Sequence, residues 1–445
     1  HTYITKHGVK KVNEIYEIAY SAAANRLCLF TGTGFSKALT NNKALGWQSL
    51  LEKACDKLDG LNKVKKSLFP EDGKNPLSLE EAAQVIYIEY QKKGENLHEK
   101  IAEIIKEIHL SKDNKHVKNF LDNNSIRIIT TNYDKLIEEM IPIKKCQSLA
   151  PGLPIPKASS STKIYHVHGS IDSPSNMVVT SDDYFKFINY NSYFSKKISS
   201  MIYENTIVIL GYSLGDTNLK AIINEYKNFS RENVIGSSMF LVSRKKVESY
   251  LKEYYFHCYG IRVIDNLDIH DFFDKLNSKI QDVQKRVEDS LENIEKVLSG
   301  KHSFSKSFLK VENNFYEIIM SLAAFGVLVT DAKAMNMIEK IIQEKIKLTS
   351  ENSAWEQYVH LANWLIYLAT IIEIKDTSLE KIYLKAVFHS MNHMSKDYSI
   401  GYSWHAYKAW ESKWFSLIVS NRVMLKNYVS KNINNQDAVN LVKNL

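Results

Sequence analysis

The chain has 445 residues, 44% apolar and 24% charged, which is enough for two or three domains with full cores and is an ordinary composition for globular protein. The formal charge of +8 is spread along the chain, so direct nucleic-acid binding is not expected; the four cysteines, Cys28, Cys55, Cys146 and Cys258, include no CxxC pair, which argues against a zinc ribbon or disulfide framework and fits a reducing cytoplasm. The best membrane candidate, residues 316–329, carries Glu317 and is too short to span a bilayer, so no membrane association is expected.

The opening HTYITKHGVKKV has no Met and no signal-peptide pattern and reads as an expression remnant. Residues 9–24 predict a helix leading into RLCLFT (26–31), a compact apolar strand. Gly32-Thr33-Gly34-Phe35-Ser36 follows at once. Glycines directly after a buried strand let the backbone turn tightly and approach a diphosphate, whose charge the next amides and hydroxyls can meet. Leu50, Leu51, Ala54 and Leu58 then fall at helical spacing, Ser78-Leu79-Glu80-Glu81 fits a capping box ahead of a helix through Tyr90, and 97–108 predicts a further helix. The polar, helical stretch 60–122 is placed to cover a nucleotide site or to act as a purely structural lid.

Residues 125–134, SIRIITTNYD, predict a buried parallel strand with Thr131, Asn132 and Asp134 at its carboxyl end, where ligands sit in a doubly wound sheet. An amide and a carboxylate two residues apart offer a donor, an acceptor and a negative charge to one small polar ligand; alternatively Asn132 or Asp134 caps the helix expected over 135–140. Residues 142–157 hold four of the seven prolines and are expected to be irregular. In KIYHVHG (163–169) the alternation places His166 and His168 on one face of a strand. His168, beside Gly169, is a general-base candidate or a structural histidine, and no third residue at a telling spacing suggests a metal. A short strand over 177–180 and an aromatic-rich helical segment over 184–203 follow.

TIVIL (206–210) is a buried strand running into Gly211-Tyr212-Ser213-Leu214-Gly215-Asp216 and a helix through Tyr226. Two readings compete. GYSLG matches the nucleophile elbow of a serine esterase built on Ser213, with Asp265 or Asp268 and then His270 in triad order. Alternatively Gly211, Ser213 and Asp216 form a second nucleotide-binding turn, with Asp216 accepting from a ribose hydroxyl. Strands over 238–242 and 261–264 complete the set.

GTGFS, TTNYD, HVHGS and GYSLGD, in that order and each after an apolar strand, together resemble the sirtuin-type (SIR2) domain, and more specifically the SIR2-like NAD hydrolases of bacterial antiphage defence. The resemblance covers about residues 10–277. It implies an α/β, Rossmann-like fold with a helical insertion, and NAD+ as a substrate cleaved to nicotinamide and ADP-ribose, depleting cellular NAD+ in abortive infection. It further implies that Gly32, Thr33, Gly34, Ser36, Thr131, Gly211, Ser213 and Asp216 bind NAD+, that Asn132 and Asp134 stand at the nicotinamide side, and that His168 is catalytic. Thr33 replaces the usual alanine and TTN the usual TQN. The four-cysteine zinc module of deacylase sirtuins is missing, which moves the expectation from peptide deacylation to NAD+ hydrolysis without a metal. A non-catalytic subunit that binds NAD or ADP-ribose and passes on a conformational signal is the non-enzyme alternative.

Past residue 277 the chain has no strand-like alternation, no proline, repeated helical spacing (Ile318, Leu322, Phe325, Val329) and five of the six tryptophans. An all-α domain over 278–445 is therefore expected behind a catalytic domain over 1–277. Its tryptophans are read as core, with some left for an interface that forms a homo-oligomer or docks a second defence protein and thereby gates the site.

Overall fold

A computed structural model describes residues 14–155, 160–189, 193–212, 223, 239–352 and 354–444. Its centre is a parallel sheet of seven strands: β1 (Leu27–Thr31), β2 (Arg127–Thr130), β3 (Cys146–Leu149), β4 (Thr162–His166), β5 (Thr206–Leu210), β6 (Met239–Val242) and β7 (Ile261–Ile264), in the order β3-β4-β2-β1-β5-β6-β7. The β-branched runs are buried on both faces because alternate residues enter different cores. The row Ile164, Ile128, Leu29, Val208, Phe240 lies in register and joins one core; the next row, Tyr165, Ile129, Phe30, Ile209, Leu241, joins the other.

Between β1 and β2 lie α2 (Thr33–Leu39), α3 (Trp47–Asp56), α4 (Asn62–Leu68), α5 (Leu79–Lys92), α6 (Leu97–Lys106) and α7 (Lys115–Asn123), after α1 (Glu14–Ala23). The capping box forms as expected, with Glu81 N donating to Ser78 Oγ and Ser78 N to Glu81 Oε2. The insertion has its own core, built on Leu51, Ile86, Tyr90 and Ile101. Tyr133, Met177 and Val179 enter that core, so the insertion is anchored beside the carboxyl end of the sheet.

Three local expectations change. Residues 146–149 are a strand, β3, despite the prolines around it: it is an edge strand with one ladder to satisfy, and Pro142 and Pro151 stand outside it. Residues 177–180 form no strand, since Met177 and Val179 are drawn into the insertion core instead of a sheet. The 184–203 segment is two helices, α9 (Ser181–Asn189) and α10 (Tyr193–Glu204), following α8 (Leu136–Met140).

After α11 (Ser249–Tyr259) comes α12 (Ile269–Leu298), a helix of 30 residues, so the compositional boundary at 277/278 falls inside one continuous helix. Phe272, Phe273 and Leu276 of α12 and Val283, Val287 and Ile294 further along it belong to the same core as one sheet face. Tyr20 OH meets Ser290 Oγ at 3.0 Å, and Arg286 pairs with Glu317 at 2.7 Å. The remaining chain is helical through Gln436–Asn444. Trp364, Trp410 and Trp414 are buried in it, whereas Trp355 is 69% exposed. Among the described residues, no helix is long and apolar enough to cross a membrane.

Candidate active site

The chain steps from β1 to β2 on one side and returns to the other side of β1 with β5, so the strand ends diverge there and leave a crevice. A cavity of about 380 Å³ occupies it. Thr33, Ser36, Thr131, Asn132, Asp134, His168 and Tyr212 line the sheet side, and Leu45, Trp47, Leu50, Leu79, Glu80 and Ile105 of the insertion line the other. The sheet side is thus polar and hydrogen-bonding, and the insertion side is mostly apolar apart from Ser78 and Glu80.

The two glycine-bearing turns are sewn together. Gly32 N donates to Leu210 O at 3.0 Å and Gly34 N to Gly211 O at 2.8 Å. A Cβ on Gly34 meets Gly211 Cα at 2.8 Å; one on Gly211, where φ is +76°, meets Phe35 N at 2.0 Å. Only glycine fits this pair of turns. Tyr212 lies over Gly32, its hydroxyl 2.7 Å from Thr131 Oγ1 and donating to the Thr31 carbonyl at 3.3 Å. Ser213 and Asp216 lie outside the described residues.

Asn132 is not a free polar side chain at a strand end. Its Nδ2 donates to Gly32 O and to Ser36 Oγ, both at 2.8 Å. The Gly32 carbonyl can only accept, which fixes the amide with its NH2 on that carbonyl and on Ser36, and the residue lines the cavity. Ser36 in turn donates to Asp134 Oδ2 at 2.7 Å. Asp134 Oδ1 accepts from Leu136 N at 3.3 Å just ahead of α8, whose N-cap position is Lys135 without a side-chain cap, and Asp134 also lines the cavity. Burial pushes its carboxyl pKa up, against the Ser36 and Leu136 hydrogen bonds.

His166 and His168 do not share a strand face, because β4 ends at His166 and the chain turns at Gly169, where φ is +88°. His168, 3% exposed, points into the cavity wall with the Tyr184 and Phe187 rings edge-on at 5.5 and 5.1 Å between centroids. Burial drives its pKa down to about 4, so it is a neutral imidazole at neutral pH. His166 points behind the site, with Nδ1 3.0 Å from Asn132 O and Nε2 2.6 Å from Glu138 Oε1. Burial pulls the Glu138 carboxyl upward, but His166, Lys135 and Ser148 outweigh it and hold the group at about 2. Sequence reasoning missed Glu138 and the Tyr184 and Phe187 rings; the signal for Glu138 was its position four residues after Asp134, on the first turn of the helix that follows TTNYD.

The esterase alternative loses its acid–base half. His270 Nε2 faces Ala38 O at 3.2 Å, Asp268 Oδ1 caps its own helix at Asp271 N, and Asp265 takes Lys252 and Val247 N. Neither acid orients His270, as a triad requires. Among the described residues, no group of three His, Cys, Asp or Glu is placed to hold a metal.

A parallel sheet with an amide, a carboxylate and a histidine converging at its topological switch point defines a Rossmann-like nucleotide-site architecture. Residues 126–264 match the SIR2-like domain family. Among curated proteins it is similar to defense-associated sirtuin 2 of Bacillus subtilis, 26% identical over 262 residues, covering 58% of this chain and 25% of that protein. It is 34% identical over 113 residues to the NAD(+) hydrolase ThsA of Enterococcus faecium, covering 23% of each, and 24% identical over 228 residues to ThsA of Cytobacillus dafuensis, covering 48% of this chain and 40% of that protein. The chain thus spans 23 to 40% of the length of these relatives.

Proposed function

We propose that this protein hydrolyses NAD+ to nicotinamide and ADP-ribose, and that the reaction serves antiphage defence by depleting cellular NAD+ in the cytoplasm. The observation that carries the reading is the Asn132 amide, locked through Nδ2 and lining a cavity that Asp134 and His168 also line. The names of the similar proteins, NAD(+) hydrolase and defense-associated sirtuin, support it.

Cleavage breaks the bond between ribose C1′ and the pyridinium nitrogen, and the electron pair leaves with nicotinamide. Positive charge builds on the ribose, and water closes on C1′, yielding ADP-ribose and a proton. Asn132 Oδ1 holds a ribose hydroxyl or the water, Asp134 accepts from the carboxamide N–H, and neutral His168 takes the proton. Gly32, Thr33, Gly34, Ser36, Thr131, Gly211, Ser213 and Asp216 hold the rest of the dinucleotide. The apolar side chains of the insertion, Leu45, Trp47, Leu50, Leu79 and Ile105, keep bulk water from the cation.

The chain is further proposed to work in two parts, a catalytic region and a helical C-terminal region that self-associates or docks a second defence protein. The exposed Trp355, Tyr398, Ile400 and Tyr402 are among the apolar groups available for that contact. Chromatographic measurement of nicotinamide released by wild type, His168→Ala and Asp134→Ala tests the catalytic reading. Release that both variants sustain at the wild-type rate contradicts it.

A further inference from the structure

Behind the site lies a charged cluster to which the reaction as written assigns no part. Glu138 Oε1 receives His166 Nε2 at 2.6 Å, Ser148 Oγ at 2.8 Å and Lys135 Nζ at 3.2 Å. Lys135 also pairs with Asp172 at 2.9 Å, in the loop that follows His168. The cluster therefore ties the Asn132 loop, α8, β3 and the loop after β4 to one another.

The bonding of His166 decides its charge. A neutral imidazole has one N–H, yet each ring nitrogen here faces an acceptor: the main-chain carbonyl of Asn132 at Nδ1 and a carboxylate oxygen at Nε2. Both contacts are hydrogen bonds only if both nitrogens carry protons. The ring is 1% exposed, so water does not supply an alternative partner. The charged groups around it are Glu138, Lys135 and Asp134, with Asp172 beyond Lys135; Glu138 is the anion in direct contact.

We propose that His166 is a positioning residue: an imidazolium fixed between Glu138 and the Asn132 carbonyl, which holds the Asn132 loop in the register that aims Oδ1 at the reacting ribose. This rests on the reading of Asn132 as the group that touches substrate. Asn132 N donates to Thr130 Oγ1 at 3.1 Å, its side chain is tied to Gly32 and Ser36, and His166 takes the remaining main-chain group. Every polar atom of Asn132 but Oδ1 is thereby immobilised. Loss of the Nδ1 contact frees the Asn132 carbonyl, so turnover falls while substrate affinity, set largely by the dinucleotide contacts, changes little.

Isosteric substitution separates positioning from bulk stability. In the full-length chain, His166→Asn keeps an N–H donor where Nδ1 stands and loses the Glu138 contact, whereas His166→Gln keeps the donor at the Nε2 end and loses the Asn132 carbonyl. Steady-state nicotinamide release from NAD+ should show kcat about 100-fold lower for His166→Gln, the scale of a misplaced catalytic group, with KM nearly unchanged. His166→Asn should lose about tenfold or less. Equal kcat values for the two His166 variants, or a loss confined to KM, would overturn the proposal.

Hydrogen-exchange mass spectrometry of the peptide 130–136 reads the clamp without turnover. Faster exchange in His166→Gln than in His166→Asn is expected. That pattern in a protein that leaves NAD+ untouched would keep the clamp and sink the NAD+ reading. Turnover by wild type without the pattern would do the reverse.

Discussion

The neutral, enclosed His168 makes the acid side of the pH profile a sharp test. Burial moves its pKa from 6.5 down to about 4, the Tyr184 and Phe187 rings forming part of the enclosure. At pH 5.5 a histidine at its ordinary pKa would be about 90% protonated and useless as a base, whereas one near 4 is only about 3% protonated. The rate, followed as kcat/KM for nicotinamide release, should therefore hold to about pH 5 and fall roughly tenfold per unit below pH 4. Phe187→Ala opens the enclosure to water and should raise the midpoint by about one to two units. The same shift affects stability. Between pH 6.5 and 4 the unfolded chain binds a proton that the native His168 refuses, so on the order of 3 kcal/mol of stability, present above 6.5, is lost as pH falls to about 4. Activity that halves near pH 6.5 in wild type, with no response to Phe187→Ala, would refute the assignment of His168 as an enclosed neutral base.

Asn132→Ala should abolish NAD+ loss and also lower thermal stability by about 1 to 3 kcal/mol, because Gly32 O and Ser36 Oγ each lose a donor; a melt unchanged from wild type would show that these bonds do not hold the turn. Gly211→Ala should cost about 1 to 3 kcal/mol from backbone strain alone, with the 2.0 Å approach to Phe35 N added to it, and NAD+ binding by calorimetry should disappear. A chain ending at Asn277 removes Ile280, Val283, Val287 and Ile294 from the core shared with the sheet, so it should lose cooperative unfolding. A sharp transition near the full-length temperature would show instead that the sheet region is autonomous.

Much of the sheet was legible because its strands are short apolar runs buried on both faces, β-branched in SIRIIT and TIVIL, which gives RLCLFT, SIRIIT and TIVIL a signal that needs no tertiary context. β3 was hidden by its prolines, which mark the ends of an edge strand as readily as a loop. The 177–180 run has a strand's composition, but its apolar residues serve the insertion core. At the site, the convergence of TTNYD, GTGFS and His168 on one cavity followed from strand ends in a doubly wound sheet. The roles of the two histidines within KIYHVHG were not legible, since the pleat of period two stops at His166 and Gly169 redirects the chain. Glu138 was unreadable as a partner of His166 because the pair is 28 residues apart in sequence and meets only when β2 and β4 lie side by side. The compositional break at 277/278 was real, but a helix of 30 residues passes through it.

The central claim is tested most directly by proton NMR of NAD+ incubated with the purified full-length chain, with Asn132→Ala in parallel. The account predicts that nicotinamide and ADP-ribose appear in equal amounts as NAD+ is consumed by wild type, and that the Asn132→Ala sample keeps its NAD+ intact. Nicotinamide formed at the same rate by both proteins, or NAD+ bound by wild type and never cleaved, would contradict it.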